Sequence, residues 1–140
     1  MKDRVPASVA VLLVENQQIL LGRRQTEKAF EGWQCPGGFL LRGESVVAAA
    51  QRCSLQKAGI AIDEIEDGPF VNNLFPVESP LPHSVTLYTI ARKHRLVNLQ
   101  QFQHPQFTWQ WFHLDNLPES LFLPLDTLCR QTSLMRLLAE

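Results

Sequence analysis

Gly38-Phe39-Leu40-Leu41-Arg42-Gly43-Glu44, then seven residues, then Arg52-Cys53-Ser54-Leu55-Gln56-Lys57-Ala58-Gly59-Ile60, is the stretch whose reading decides the fold. It is a glycine-bounded loop that runs into a helix. Ser45 to Ala58 is rich in Ala, Gln, Lys and Leu, which lose little side-chain freedom in a helix. Ser45 stands where an N-cap oxygen is wanted, and Gly59 stands where the chain must turn left-handed to stop. Val46, Val47, Ala49, Ala50, Ser54 and Ala58 recur at helical spacing, so this broad face is expected to lie on a sheet.

Upstream, Ser8 to Val14 is almost wholly aliphatic and is followed by Glu15-Asn16-Gln17 and then Gln18-Ile19-Leu20-Leu21-Gly22-Arg23-Arg24. That pattern predicts a hairpin whose first strand is covered on both faces. Gln25 to Gly32 is polar and reads as a loop, and Trp33 to Phe39 as an extended segment broken by Pro36, Gly37 and Gly38. Downstream, Phe70 to Val77 and Ser84 to Ala91 read as strands separated by a turn containing Pro76, Pro80 and Pro82. Phe107 to His113 reads as another strand. Leu125, Leu128, Met135 and Leu138 behind Pro124 predict one amphipathic helix at the end of the chain.

With 140 residues, 45% of them hydrophobic and 19% charged, residues 1–140 are expected to form a single domain around one core. Thirteen Lys plus Arg against fourteen Asp plus Glu leave a formal charge of -1, which supplies no basic field for long nucleic acid. Cys35, Cys53 and Cys129 are odd in number and lack CxxC spacing, so neither a disulfide framework nor a thiolate zinc site is expected. A reducing cytoplasm suits them. The charged N-terminus has no apolar segment behind it, and no apolar run reaches the roughly 18 residues of a membrane span. No membrane partner is expected.

The loop and helix resemble the Nudix box, whose pattern is Gly, five residues, Glu, seven residues, Arg-Glu, an aliphatic, any residue, Glu-Glu, any residue, Gly and an aliphatic. Gly38, Glu44, Arg52, Gly59 and Ile60 match with every spacing intact, whereas Cys53, Gln56 and Lys57 stand where three glutamates belong and Ser54 replaces the aliphatic. Leu21-Gly22-Arg23-Arg24, Trp33 before Pro36-Gly37-Gly38, and Trp109 to Phe112 before Leu117-Pro118 occur in the order seen in Nudix domains, so the resemblance spans nearly the whole chain. It implies an α/β/α sandwich with a mixed curved sheet between the box helix and the C-terminal helix. It also implies hydrolysis of nucleoside diphosphate-linked compounds, such as nucleoside triphosphates or nucleotide sugars, assisted by Mg²⁺ or Mn²⁺.

At about 100° per residue, positions 53, 56 and 57 share an arc about 100° wide, where carboxylates would converge on a metal. A thiol is a poor ligand for hard Mg²⁺, and Gln56 offers only a neutral oxygen. An ammonium at Lys57 would repel a divalent cation by several kcal/mol at about 4 Å, even at an effective dielectric of about 20. Tight metal binding is therefore not expected, and Glu44 alone remains as a metal candidate. A later loop supplies a base in some relatives, but Asn98 to Trp111 holds five glutamines and no Asp or Glu. His104 and His113 titrate in the right range and read more simply as surface or core residues.

The resemblance assigns catalytic positions to Glu44 and Arg52. Substrate contacts are expected from Arg23, Arg24, Gly37, Gly38, Arg42, Gln56 and Lys57, since Arg suits bidentate phosphate contacts. The exposed arginines also read as solvated surface charges, and Arg52 as a partner for Glu44. Trp33, Phe39, Phe75 and Trp109 are candidates for stacking on a base or for the core, and Cys53 for packing or reactivity. Three readings stay open: a nucleotide binder with weak or lost hydrolysis, a hydrolase whose ligands come from Asp63, Glu64, Glu66 or Asp67, and a protein-interaction module such as a homodimer.

Overall fold

The computed structural model describes residues 3–24, 32–97 and 107–139. Strands β1 (Ala7–Glu15), β2 (Gln18–Arg24), β3 (Gly37–Phe39), β4 (Ile60–Leu74), β5 (His83–Leu96) and β6 (Phe107–His113) form one six-stranded sheet. Helix α1 (Val46–Ala58) lies between β3 and β4, and helices α2 (Leu123–Gln131) and α3 (Leu134–Leu137) follow β6. The strand order is β4-β5-β1-β2-β6, with β3 also paired to β1. Among these strands only β1 and β5 pair in parallel, so the sheet is mixed.

The alternation of β1 makes the two layers. Val9, Val11 and Leu13 face α1 and pack with Ala49, Ala50 and Ala58. Ala10, Leu12 and Val14 face the other way and pack with Leu125 and Leu128 of α2. A strand covered on both faces needs an unbroken apolar run, which is why its sequence shows no polar alternation. Asn16 and Gln17 both take positive φ, 51° and 61°, in the tight turn that matches the twist of the β1-β2 hairpin.

Along one edge of β1, β2 pairs with the last residues (Val14 with Ile19) and β3 with the first (Val9 with Gly38). Beyond Ile19 β2 parts from β1 and continues against β6. A two-bond bridge between Gly22 and Gln34, and a bond from the Val11 N–H to the Pro36 carbonyl, fill the splay between β1 and β2. Gly37 must be glycine here, because a Cβ on it would lie 2.4 Å from the Val9 carbonyl oxygen. The site grows from this splayed edge.

Three local expectations are corrected. β4 starts at Ile60, directly after the helix, and ends at Leu74, so it is twice as long as the predicted Phe70–Val77 strand. Its charged half reads as loop in isolation, but the ladder to β5 runs from Ile60–Leu96 to Leu74–His83 around a bulge at Asp67/Phe70. Pairing overrides local propensity there. The C-terminal helix is two helices, because Thr132 is extended and the Ser133 hydroxyl accepts from the Arg136 N–H to start a new turn. Met135 is consequently exposed. On α1, Val47 is also exposed, and Cys53 joins the buried face in its place.

Candidate functional site

Helix α1 is fixed at both ends by its own sequence. The Ser45 hydroxyl accepts from the Ala48 N–H at 3.0 Å, and Gly59, at φ 69°, donates back to the Leu55 and Ser54 carbonyls. Those caps set the phase of the helix, and the phase aims Arg52, Gln56 and Lys57 toward β3.

Arg52 is the organising cation of this end. Its Nε donates to Glu44 Oε2 at 2.7 Å, and one terminal nitrogen donates both to Glu44 Oε1 at 3.1 Å and to the Phe39 carbonyl at 2.8 Å. Its other terminal nitrogen reaches Gln56 Oε1 at 3.3 Å. Glu44 Oε1 also accepts from the Leu41 N–H at 3.0 Å. The Arg52 guanidinium and the Leu41 amide hold the Glu44 carboxyl below its usual range, and Glu44 in turn raises Arg52. A two-point guanidinium contact of this kind ties the loop to the helix.

Beside this pair lies a cavity of about 420 Å³. Gly37, Gly38 and Phe39 of β3 form one rim, with Arg52, Cys53, Gln56 and Lys57 of α1 behind them. Ser8 of β1 and Ser84 and Thr86 of β5 lie on the sheet side, and Phe122, Pro124 and Leu125 form a wall on the α2 side. The cavity is therefore apolar over much of its surface, with cations at one end and hydroxyls on the sheet. Among the described residues that line it there is no carboxylate. A ligand pocket of this size and make-up suits a small molecule with a flat apolar part and an anionic part.

The predicted site residues separate into three groups. Gly37, Gly38, Arg52, Gln56 and Lys57 come together on the cavity, and Glu44 reaches it through Arg52. A Cβ on Gly38 would stand 3.1 Å from Cys53 Sγ and 3.5 Å from Lys57 Nζ, so this glycine keeps the rim close to the helix. Arg42 and Arg23 are exposed and lie outside the cavity lining, and the side chain of Arg24 lies outside the described residues.

The helix positions fit a divalent metal poorly. Glu44 is committed to Arg52 and Leu41, and Cys53 is buried, with its thiol pushed up by that burial. Cys53 is thus held as a neutral thiol that packs, which argues against the reactive reading. Lys57 adds positive charge where carboxylates would be needed. None of Asp63, Glu64, Glu66 and Asp67 of β4 is among the described residues that line the cavity; Glu64 pairs instead with Lys93 at 2.9 Å and Glu66 with Arg92 at 3.6 Å. His113 pairs with Asp115 at 2.7 Å away from the cavity, and His104 lies outside the described residues.

Of the four aromatic candidates only Phe39 lines the cavity, and it is half exposed. Trp33 packs edge-on against Phe112 at 4.8 Å, and Trp109 stacks on Phe107 at 5.3 Å while its indole N–H donates to the Lys57 carbonyl. Phe75 packs on Phe122 at 5.9 Å, and it is Phe122 that reaches the cavity. Phe122, Ser8, Ser84 and Thr86 are not among the site residues that the sequence singles out. For Ser84 and Thr86 the sequence carries one signal, two short hydroxyl side chains at alternate positions of one strand and hence on one face.

A sequence model of the NUDIX domain matches residues 3–130. Over 117 residues the chain is 26% identical to the oxidized purine nucleoside triphosphate hydrolase of Mus musculus, covering 84% of this chain and 72% of that protein. The crystal structure of a MutT NUDIX hydrolase from Burkholderia pseudomallei superposes with a TM-score of 0.73 at 23% identity, covering 93% of this chain and all of that one. The mutator MutT protein of Bacillus halodurans superposes with a TM-score of 0.70 at 19% identity, over 91% of this chain and 81% of that one. Fold, box frame and domain match agree, and the chain belongs to the Nudix family.

Proposed function

We propose that this protein binds a purine nucleotide in the α1 cavity, holding the phosphates with Arg52 and Lys57 rather than through a metal, and that hydrolysis of the phosphoanhydride is weak or lost. The observation that carries this reading is the lining of the cavity: Arg52 and Lys57 contribute cations, and none of the described lining residues contributes a carboxylate. Phosphate oxygens meet guanidinium and ammonium groups favourably without a metal between them. Water activation by a bound cation, in contrast, needs anionic oxygens that Cys53, Gln56 and Lys57 do not offer. Four of the five Arg52 N–H groups are engaged by Glu44, Phe39 and Gln56, so Arg52 clamps the rim of the cavity to Glu44 and offers phosphate its charge and its one remaining N–H. The mouse relative is a hydrolase of oxidized purine nucleoside triphosphates, and its ligand class guides the choice of purine nucleotides here.

Calorimetric titration with GTP, once in EDTA and once in Mg²⁺, tests the proposal. Binding that persists in EDTA, with no phosphate release over hours in Mg²⁺, is the expected result. A stoichiometric Mg²⁺ site in the free protein, or binding that vanishes in EDTA, would transfer the reading to a hydrolase with displaced ligands.

A further inference from the structure

The sheet side of the cavity carries an unusual row of hydroxyls, and we infer that Asn73 fixes its polarity, turning it into a donor surface that selects a ligand presenting an oxo group over one presenting an amino group. The inference rests on the nucleotide-binding reading above and goes beyond it, because it names which base edge the pocket accepts.

The register builds the row. Asn73 of β4 lies opposite Ser84 of β5, and Thr86 of β5 lies beside Ser8 of β1. Residues two apart share a face of the sheet, so the four side chains form one strip across three strands. Asn73 is fully buried, and Ser84 and Thr86 nearly so. The Asn73 amide nitrogen donates to Ser84 Oγ at 3.2 Å and to Thr86 Oγ1 at 2.8 Å. Thr86 Oγ1 and Ser8 Oγ share one further bond at 2.8 Å. Ser8, Ser84 and Thr86 line the cavity, and Asn73 acts on it through them.

Counting protons gives the polarity. Asn73 supplies both of its N–H groups, so Ser84 and Thr86 accept and keep their own hydroxyl protons. One proton is used between Thr86 and Ser8. Two of the three hydroxyl protons are then available to a ligand. With the amide reversed, Ser84 and Thr86 would donate to the Asn73 oxygen, Ser8 would have to donate to Thr86, and the row would offer lone pairs only.

The cost of each arrangement selects between them. As it stands, Asn73 Oδ1 is buried without a hydrogen-bond partner. Reversal would instead bury an NH₂ group with both protons unsatisfied, and buried orphan N–H groups are tolerated less well than under-used carbonyl oxygens. The donor arrangement is favoured. A 6-oxopurine can accept the free hydroxyl protons of the row, whereas a 6-aminopurine in the same pose can only donate to the lone pairs that remain and leaves those buried protons without an acceptor.

The test compares GMP with AMP, which share their phosphate and differ at the 6-position, and uses tripolyphosphate as a probe of the cationic end alone. The wild-type chain should prefer GMP by about tenfold, the worth of one buried hydroxyl proton satisfied rather than left without an acceptor. Asn73→Asp replaces the donors by an acceptor and should bring the ratio to parity or invert it. Thr86→Val, uncharged and similar in shape, should also lose the preference, and it carries the test if the buried aspartate prevents folding. Tripolyphosphate affinity should be equal in the wild type and in the uncharged Thr86→Val. Equal affinity for GMP and AMP in the wild type, or a ratio unchanged by Asn73→Asp and Thr86→Val, overturns the inference; if tripolyphosphate still binds, the phosphate reading stands without it. Failure of all three probes to bind sinks both.

Discussion

Arg52 Nε lies 2.7 Å from Glu44 Oε2, with 27% and 14% of the two side chains exposed, and that contact joins the loop after β3 to the middle of α1. It engages the Glu44 carboxylate through both oxygens, and the Leu41 N–H adds a third bond. Because Glu44 titrates below its ordinary value of 4.5, its contribution to stability is fully present above that pH and is lost as pH falls through the lowered value. Melting temperature measured between neutral and strongly acid pH should therefore drop at the acid end. Glu44→Gln should be less stable at neutral pH and show a shallower acid limb. Parallel acid limbs for the two proteins would show that the pair does not contribute.

At the other end of the helix, Lys57→Glu should weaken nucleotide binding in metal-free buffer by about tenfold or more, since it exchanges an attraction for a repulsion toward phosphate. Lys57 also takes part in other interactions within the protein, so Lys57→Gln is the companion variant. It should give an intermediate loss. Unchanged affinity in both would place Lys57 outside the phosphate site.

Restoring carboxylates tests whether the box geometry survives. Cys53→Glu, Gln56→Glu and Lys57→Glu together should lower metal-free stability by mutual repulsion and create divalent-cation-dependent melting, worth about 2.7 kcal/mol at a hundredfold excess over Kd. Cys53 is buried, so the double change at Gln56 and Lys57 is the milder variant and should show the same dependence, reduced. A folded variant whose melting temperature ignores Mg²⁺ and Mn²⁺ would show that this helix end no longer converges as a metal site.

Ser54 stands where the family pattern has an aliphatic residue, fully buried and with its hydroxyl unpartnered. Ser54→Ala removes an unsatisfied group and adds helix propensity. It should raise stability by about 1 kcal/mol in urea unfolding. A loss instead would mean that the hydroxyl is satisfied in solution.

Gly37→Ala places a methyl group against the Val9 carbonyl, at 2.4 Å in the unrelaxed geometry. The β1-β3 pairing must shift, at a cost of about 2–3 kcal/mol. Amide exchange at the Val11 N–H, which donates to the Pro36 carbonyl, reads the damage locally. Protection equal to wild type would show that the rim can relax.

The sequence by itself determined the family frame, the helix from Ser45 to Gly59 with both caps, and the presence of Cys53, Gln56 and Lys57 at three positions where the box pattern has glutamate. Each of these depends on residue identity at short, fixed spacing, where local chemistry decides. It also marked Gly37, Gly38, Arg52, Gln56 and Lys57, which the fold gathers on one cavity. Only the tertiary structure separated Arg23 and Arg42 from that group, extended β4 through its charged half, and replaced Val47 by Cys53 on the buried face. The hydroxyl row lay hidden for the same reason. Ser8, Asn73 and Thr86 come from three strands far apart in the chain, and nothing in their own neighbourhoods implies that they meet. Sheet register brings them together, and register is set by long-range pairing and by which face each strand must bury.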